Sequence, residues 1–203
     1  MHLYYAQTIA ENLKQCLEPY CEKIYIAGSI RRKKQEVKDI ELVLIPKKSM
    51  HKETNLFGET VREYKVVHPE FVKELHAIGK VEKGKVDGRY MKIEVKQLVE
   101  SVEHLISLDL FMPRKEDFYR QLAIRTGSAD YAHRYISSYW KKRGWVGING
   151  ELYLMRECMQ ISEKEWVLKK DITNPTRPPV WQSEQEFFKW LGIQYLAPEQ
   201  RNL

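Results

Sequence analysis

Gly28-Ser29-Ile30-Arg31-Arg32 and, six residues further on, Asp39-Ile40-Glu41-Leu42-Val43-Leu44-Ile45-Pro46 set two unlike patterns next to each other. The second alternates strictly. Asp39, Glu41 and Val43 fall on one face of a strand and Ile40, Leu42 and Leu44 on the other, and Pro46 closes the run. The spacing predicts a half-buried strand over 39–45 carrying two carboxylates. Side chains two apart on a strand point the same way, so Asp39 and Glu41 project together and repel unless something neutralises them. Upstream, Ile24 and Ile26 alternate into Gly28-Ser29, which reads as a short strand stopping at a glycine just before a helix start. Free backbone N–H groups and a serine hydroxyl at such a place suit phosphate oxygens, and Arg31 and Arg32 add charge. The plainer reading leaves Asp39 and Glu41 as solvent-facing residues on an edge strand.

The surroundings narrow the class. The chain has 203 residues, enough for one large domain or two small ones, with 34 Lys+Arg against 28 Asp+Glu and a net charge of +6. Hydrophobic residues at 43% and charged ones at 31% fit a packed globular protein and exclude disordered and fibrous classes. Apolar runs are far shorter than the ~20 residues that a membrane span needs, and Met1-His2-Leu3-Tyr4-Tyr5 lacks a secretory pattern. Cys16, Cys21 and Cys158 form no C-x-x-C pair, which argues against a disulfide framework or a zinc site. The expectation is a cytoplasmic protein with reduced thiols, at a nucleoid or viral replication site if not free in the cytosol.

Most of the charge sits in one segment. Residues 119–150 hold Arg120, Arg125, Arg134, Lys141, Lys142 and Arg143 against Asp130 alone, with Tyr131, Tyr135, Tyr139, Trp140 and Trp145 interleaved. That mixture suits a polyanion, although a solvated face that only keeps the protein soluble has the same composition.

Elsewhere, Ala6, Ile9, Ala10, Leu13, Leu17 and Tyr20 predict an amphipathic helix over 3–20. Residues 47–88 give a loop through Phe57-Gly58 and a helix over 69–78. Strands are expected over 90–95 and 105–112, the second interrupted on its apolar pattern by Asp109. A third carboxylate beside Asp39 and Glu41 gives a set suited to two divalent cations about 3.5–4 Å apart. From Glu116 the pattern is helical, breaks at Thr126-Gly127-Ser128, and resumes from Asp130 to Arg143. The run 174–179 is a stiff extended linker, and Ser183-x-x-Glu186 caps a last helix ending at Gly192.

Gly28-Ser29-x-Arg31-Arg32, six residues, then Asp39-x-Glu41 resembles the nucleotidyltransferase signature of family X (polymerase beta-like) DNA polymerases. Leu108-Asp109-Leu110 is similar to that family's third-carboxylate strand, Thr126-Gly127-Ser128 to its T-G-S turn, and Ser183 to Arg201 to its C-terminal motif, all in family order. The resemblance implies an α+β fold: a nucleotidyltransferase palm with a mixed sheet and flanking helices over 1–118, then a small α/β thumb over 119–203. It implies two Mg2+ ions, or Mn2+, on Asp39, Glu41 and Asp109, which would be the catalytic residues. Gly28, Ser29, Arg32, Thr126, Gly127, Ser128 and Tyr131 would bind the nucleotide, and Arg134, Lys141, Lys142 and Arg143 the DNA. The implied activity is addition of nucleotides from dNTPs to a DNA 3′-hydroxyl at short gaps or primer–templates, by a monomer without lyase activity.

The chain departs from the family pattern at four places. Glu41 stands for an Asp, Ala132 for an Asn, Ile124-Arg125 for an aromatic pair, and Ser107 for an Arg. A transferase of the same fold with a tRNA, protein or small-molecule acceptor, and a non-catalytic nucleic-acid-binding module, are the alternatives.

Overall fold

The computed structural model describes residues 1–57, 59–99, 102–163 and 165–202, so that Gly58, where the expected loop ends, lies outside it. The fold is mixed α+β. The first helix, α1 (Leu3–Leu17), buries Ala6, Ile9, Ala10, Leu13 and Leu17 along one stripe, and Pro19 turns the chain into a 3₁₀ turn. Strand β1 (Cys21–Ile26) leads into the four-residue helix α2 (Gly28–Arg31), and β2 (Asp39–Pro46) returns antiparallel to β1 with Ile24 opposite Leu44.

The stretch from residue 47 to Phe57, expected as a loop, and the unassigned residues 59–67 form a ribbon instead: β3 (Lys48–Thr54) pairs antiparallel with β4 (Thr60–Val67) and with no other strand. Met50 is the only large apolar side chain in β3, so no alternation announces the strand. Helix α3 (Pro69–Ile78) then packs Phe71 and Leu75 inward. Strands β5 (Lys80–Gly84), β6 (Tyr90–Val99) and β7 (Val102–Phe111) complete a five-stranded sheet in the order β1-β2-β7-β6-β5. All its neighbours are antiparallel except β2 and β7, which run parallel.

Each face of β2 meets a different layer. Ile40, Leu42 and Leu44 are fully buried with Leu108, Leu110 and Ile93 in the core under α1 and α3. Each such side chain contributes roughly 1.5–3 kcal/mol by leaving water. On the other face Val43 and Ile45 are also buried, against Phe111 and against Phe118 and Leu122 of α4 (Phe118–Thr126). Thus β2 is an interior strand covered on one side throughout and on the other only toward its C-terminal end. The end that α4 leaves open carries Asp39 and Glu41, the second of them under the Gly28 turn.

Helix α4 also sends Ala123 into a second, aromatic core with Tyr131, Trp140, Trp181, Phe187 and Phe188. There the expected helix over 130–143 begins as a π-helical turn, Tyr131–Ile136, before α5 (Ser137–Lys142). The hairpin β8 (Trp145–Ile148) and β9 (Glu151–Leu154) turns on Asn149 and Gly150, with φ of 49° and 80°, the left-handed pair of a tight two-residue turn. A small pair, β10 (Cys158–Gln160) and β11 (Trp166–Leu168), precedes α6 (Glu184–Leu191). The Ser183 hydroxyl caps α6 by accepting from the Glu186 N–H (3.1 Å), and Gly192 ends it with φ 75°. Among the described residues no helix is long and apolar enough to cross a membrane.

Candidate functional site

Parallel pairing of β2 with β7 sets Asp39 opposite Ser107 and Glu41 opposite Asp109. Strand neighbours lie about 4.8 Å apart, so the three carboxylates share the uncovered half of one sheet face. Helix α4 covers Val43 and Phe111 on that face, the next positions along, and so gives the carboxylates an apolar floor.

The glycine signature is built against this face. The Ala27 N–H donates to the Glu41 carbonyl (2.8 Å), which folds the turn onto β2. Gly28 has φ 61°, and a Cβ on it would stand 1.8 Å from Glu41 Oε2, so only glycine leaves room for that carboxylate. The Ser29 hydroxyl is buried without a hydrogen-bond partner. Such an oxygen is costly to leave unpaired.

Burial dominates the electrostatics. It pushes the Glu41 carboxyl up to about 7, reinforced by Asp39 and Asp109 and opposed by Arg125 and Arg32. Burial and the Asp109 charge raise Asp39 as well. Two groups stand in for a counter-ion. The Tyr90 hydroxyl donates to Asp109 Oδ1 (2.7 Å), and desolvation together with this bond pushes the phenol up to about 12. The Arg125 guanidinium lies 3.9 Å over the Phe111 ring; desolvation lowers its pKa while Glu41 and Asp109 hold it charged. Among the described residues no group of three or more His, Cys, Asp or Glu side chains is gathered so as to hold a metal ion as it stands. The donors fit divalent cations by chemistry, being hard carboxylate oxygens beside an unpartnered hydroxyl.

Two clefts open at the carboxylates, with Glu41 and Arg125 lining both. One, of about 560 Å³, runs past Asp109 and Tyr90 to Arg89, Arg114 and Glu151. There Glu151 accepts from Arg89, Arg177 and Tyr153 and is drawn down to about 2 by these partners despite its burial. The other, of about 460 Å³, is walled by Arg32, Gly127, Ser128, Ala132, His133 and Trp140.

The remaining expected site residues divide. Gly127 and Ser128 line the second cleft with Arg32, whose guanidinium donates to the Thr126 carbonyl (2.7 Å) and to Asn202 Oδ1 (3.1 Å). Thr126 is fully buried and its hydroxyl accepts from Arg31 (2.6 Å). Tyr131 lies behind the T-G-S turn, buried in the aromatic core beside Gly127, and its backbone N–H donates to the Ser128 hydroxyl (3.1 Å). Arg31 is not free to supply charge to the cleft: it makes a two-pronged ion pair with Glu184 (2.5 and 3.1 Å), which also binds the fully buried Arg201 (2.5 Å).

Arg134 is exposed and paired with Asp130 (3.1 Å), and Lys141, Lys142 and Arg143 are exposed at the end of α5. Lys142 lies over Tyr139 and Arg143 over Trp190.

Sequence reasoning gave Tyr90 no role beyond opening a strand, and saw Arg125 as one charge of the basic segment and as a substitution beside the T-G-S turn. The register that sets Tyr90 opposite Phe111 and Lys92 opposite Asp109 is a tertiary fact. No protein-family model matches the chain, and no curated protein matches it by sequence.

Proposed function

We propose that the protein is a metal-dependent nucleotidyltransferase that adds nucleotides from dNTPs to a DNA 3′-hydroxyl, after the manner of the family X polymerases that its motifs resemble. The observation that carries this reading is the packing of the Gly28-Ser29 turn directly on Glu41, in register with Asp109 on the neighbouring strand. Phosphate binding and carboxylate chemistry then meet at one point, as transfer of a nucleotidyl group requires.

Asp39, Glu41 and Asp109 would hold Mg2+, which when bound supplies Lewis-acid stabilisation of the charge on the reacting phosphate. Ser29, whose hydroxyl is buried without a partner next to the glycine packed on Glu41, and the N–H groups of its turn would bind phosphate oxygens, with Arg32 adding charge from the wall of the second cleft. Tyr90 fixes Asp109 by its hydrogen bond, so this carboxylate keeps one orientation. Arg125, stacked on Phe111, neutralises part of the carboxylate charge before any ligand arrives.

Primer extension with Mg2+ on gapped, nicked and single-stranded DNA and on RNA acceptors tests the reading. Extension of a DNA 3′ end that depends on both metal and dNTP is expected. Extension confined to RNA or to a non-nucleic-acid acceptor would replace DNA as the acceptor, and absence of metal-dependent dNTP binding would sink the transferase reading.

A further inference from the structure

The β3–β4 ribbon is unlike the rest of the surface. Among the described residues, eleven large apolar side chains stand exposed, and five of them (Met50, Leu56, Phe57, Val61 and Tyr64) belong to this one hairpin. The ribbon pairs with no other strand and meets the core only at its foot, through Val67, so no core repays the exposure of those five. Its tip is nevertheless tied. Asn55 Oδ1 accepts from the N–H groups of Phe57 and Glu59 (3.0 Å each), and the Asn55 side-chain amide donates to the Glu59 carboxylate (2.9 Å). This turn holds Leu56 and Phe57 wholly out in solvent, at 102% and 88% exposure.

Charge says what would cover them. Residues 47–67 carry Lys47, Lys48, Lys52, Arg62 and Lys65 against Glu53, Glu59 and Glu63. At the foot of the ribbon a groove of about 1050 Å³ is lined by Lys48, Lys65, Arg89, Arg114 and Lys115 against Glu22, Asp87 and Glu116. Arg89, Pro113 and Arg114 belong also to the cleft that opens on Asp109 and Glu41, so the groove at the foot of the ribbon is continuous with the carboxylates, with Arg89 and Arg114 paired to Glu151 between them. Across the ribbon His51 and Tyr64 meet at 5.3 Å between ring centroids, with Arg62 over Tyr64. A two-stranded ribbon matches the width of a duplex groove, basic side chains follow phosphates, and an apolar pair at a tip is suited to wedge at a base step. The ribbon's own balance, five cations against three carboxylates, favours a polyanion as the occupant over a neutral protein surface.

We infer that the β3–β4 ribbon is a second nucleic-acid contact, an arm whose basic strands lie along a DNA duplex while Leu56 and Phe57 stack against a base step next to the reactive end. The inference rests on the nucleic-acid reading above and adds a binding surface outside the carboxylate clefts.

The test compares parent, Leu56→Ser with Phe57→Ser, and Lys141→Glu with Lys142→Glu, by anisotropy on a gapped DNA duplex across a salt series. A second duplex carries 2-aminopurine near the gap. Because both tip side chains are fully exposed, the tip variant should keep the parent's circular dichroism and melting temperature. It should bind about tenfold more weakly at every salt concentration with an unchanged salt slope, since stacking releases no counterions. It should also lose the 2-aminopurine signal that the parent gives. Affinity within twofold of the parent's, while the lysine variant binds more weakly, would overturn the arm and leave the nucleic-acid reading standing. A tip variant that keeps its duplex affinity but loses self-association in sedimentation would overturn it in favour of a second copy of the chain. A parent that binds no duplex would overturn both readings.

Discussion

The two faces of β2 are made from the same eight residues and are governed by different physics. On one, Ile40, Leu42 and Leu44 are sealed under α1 and α3, and nothing polar is asked of them. On the other, Val43 and Ile45 are sealed under α4, but Asp39 and Glu41 stand where α4 no longer reaches. The first face holds the sheet together. The second gathers negative charge over an apolar floor, and the Glu41 carboxyl, raised first by its own burial and then by Asp39, bears the cost. The same strand thus divides stability from chemistry by alternation alone.

Substitutions on the two faces should therefore fail in opposite ways. If the proposed transferase reading holds, Asp109→Asn should lower the rate of nucleotide transfer about a thousandfold or more, because the reading makes Asp109 a ligand of the metal. Its denaturation midpoint should not fall, since the amide oxygen of Asn still accepts from Tyr90. Single-turnover kinetics beside urea unfolding read both, and activity within a few fold of the parent would remove Asp109 from the site. Leu42→Ala, on the opposite face and fully buried, should cost about 2–5 kcal/mol in urea unfolding. Its rate per folded molecule should be near the parent's.

The contrast sharpens with pH. The folded chain binds a proton at Glu41 more tightly than the unfolded chain does, with its carboxyl raised from 4.5 to about 7. That contribution is complete below about pH 4.5 and is lost as the pH rises through about 7, by roughly 3 kcal/mol in all. In metal-free buffer Glu41→Gln should match the parent near pH 4 and be more stable near pH 8. Equal stability at both would show that Glu41 is better solvated than its packing against Gly28 implies. The smallest effect is expected far from β2. Lys141→Glu with Lys142→Glu should weaken DNA binding alike for all sequences and flatten the slope of log affinity against log salt by about 2 or more, since phosphate contacts release counterions. An unchanged slope would make the end of α5 a solvated face.

Legibility in the sequence follows the same division. Strand β2 is readable because its alternation is strict and Pro46 stops it, and α1 and α6 are readable from a buried stripe and a serine cap. Strand β3 is not, because it buries nothing and exists through its pairing with β4. The β8–β9 hairpin does carry a local signal in Asn149-Gly150, which periodicity does not register. Of the site, the carboxylates and the glycine turn are local features. Arg125 and Tyr90 come to them through helix packing and strand register, and Tyr131 is drawn into the core by aromatic neighbours that lie far away in sequence.

The clasp of Glu184 between Arg31 and Arg201 has a consequence for the order of assembly. Arg31 is made early during synthesis and its carboxylate partner about 150 residues later, with Arg201 and Asn202 later still. The sheet can form once β7 is complete at Phe111, but the turn beside Ser29 is held from behind only once α6 has emerged and docked. A growing chain therefore carries its three carboxylates well before the Gly28-Ser29 turn beside them is braced, and the two features come together in one late step.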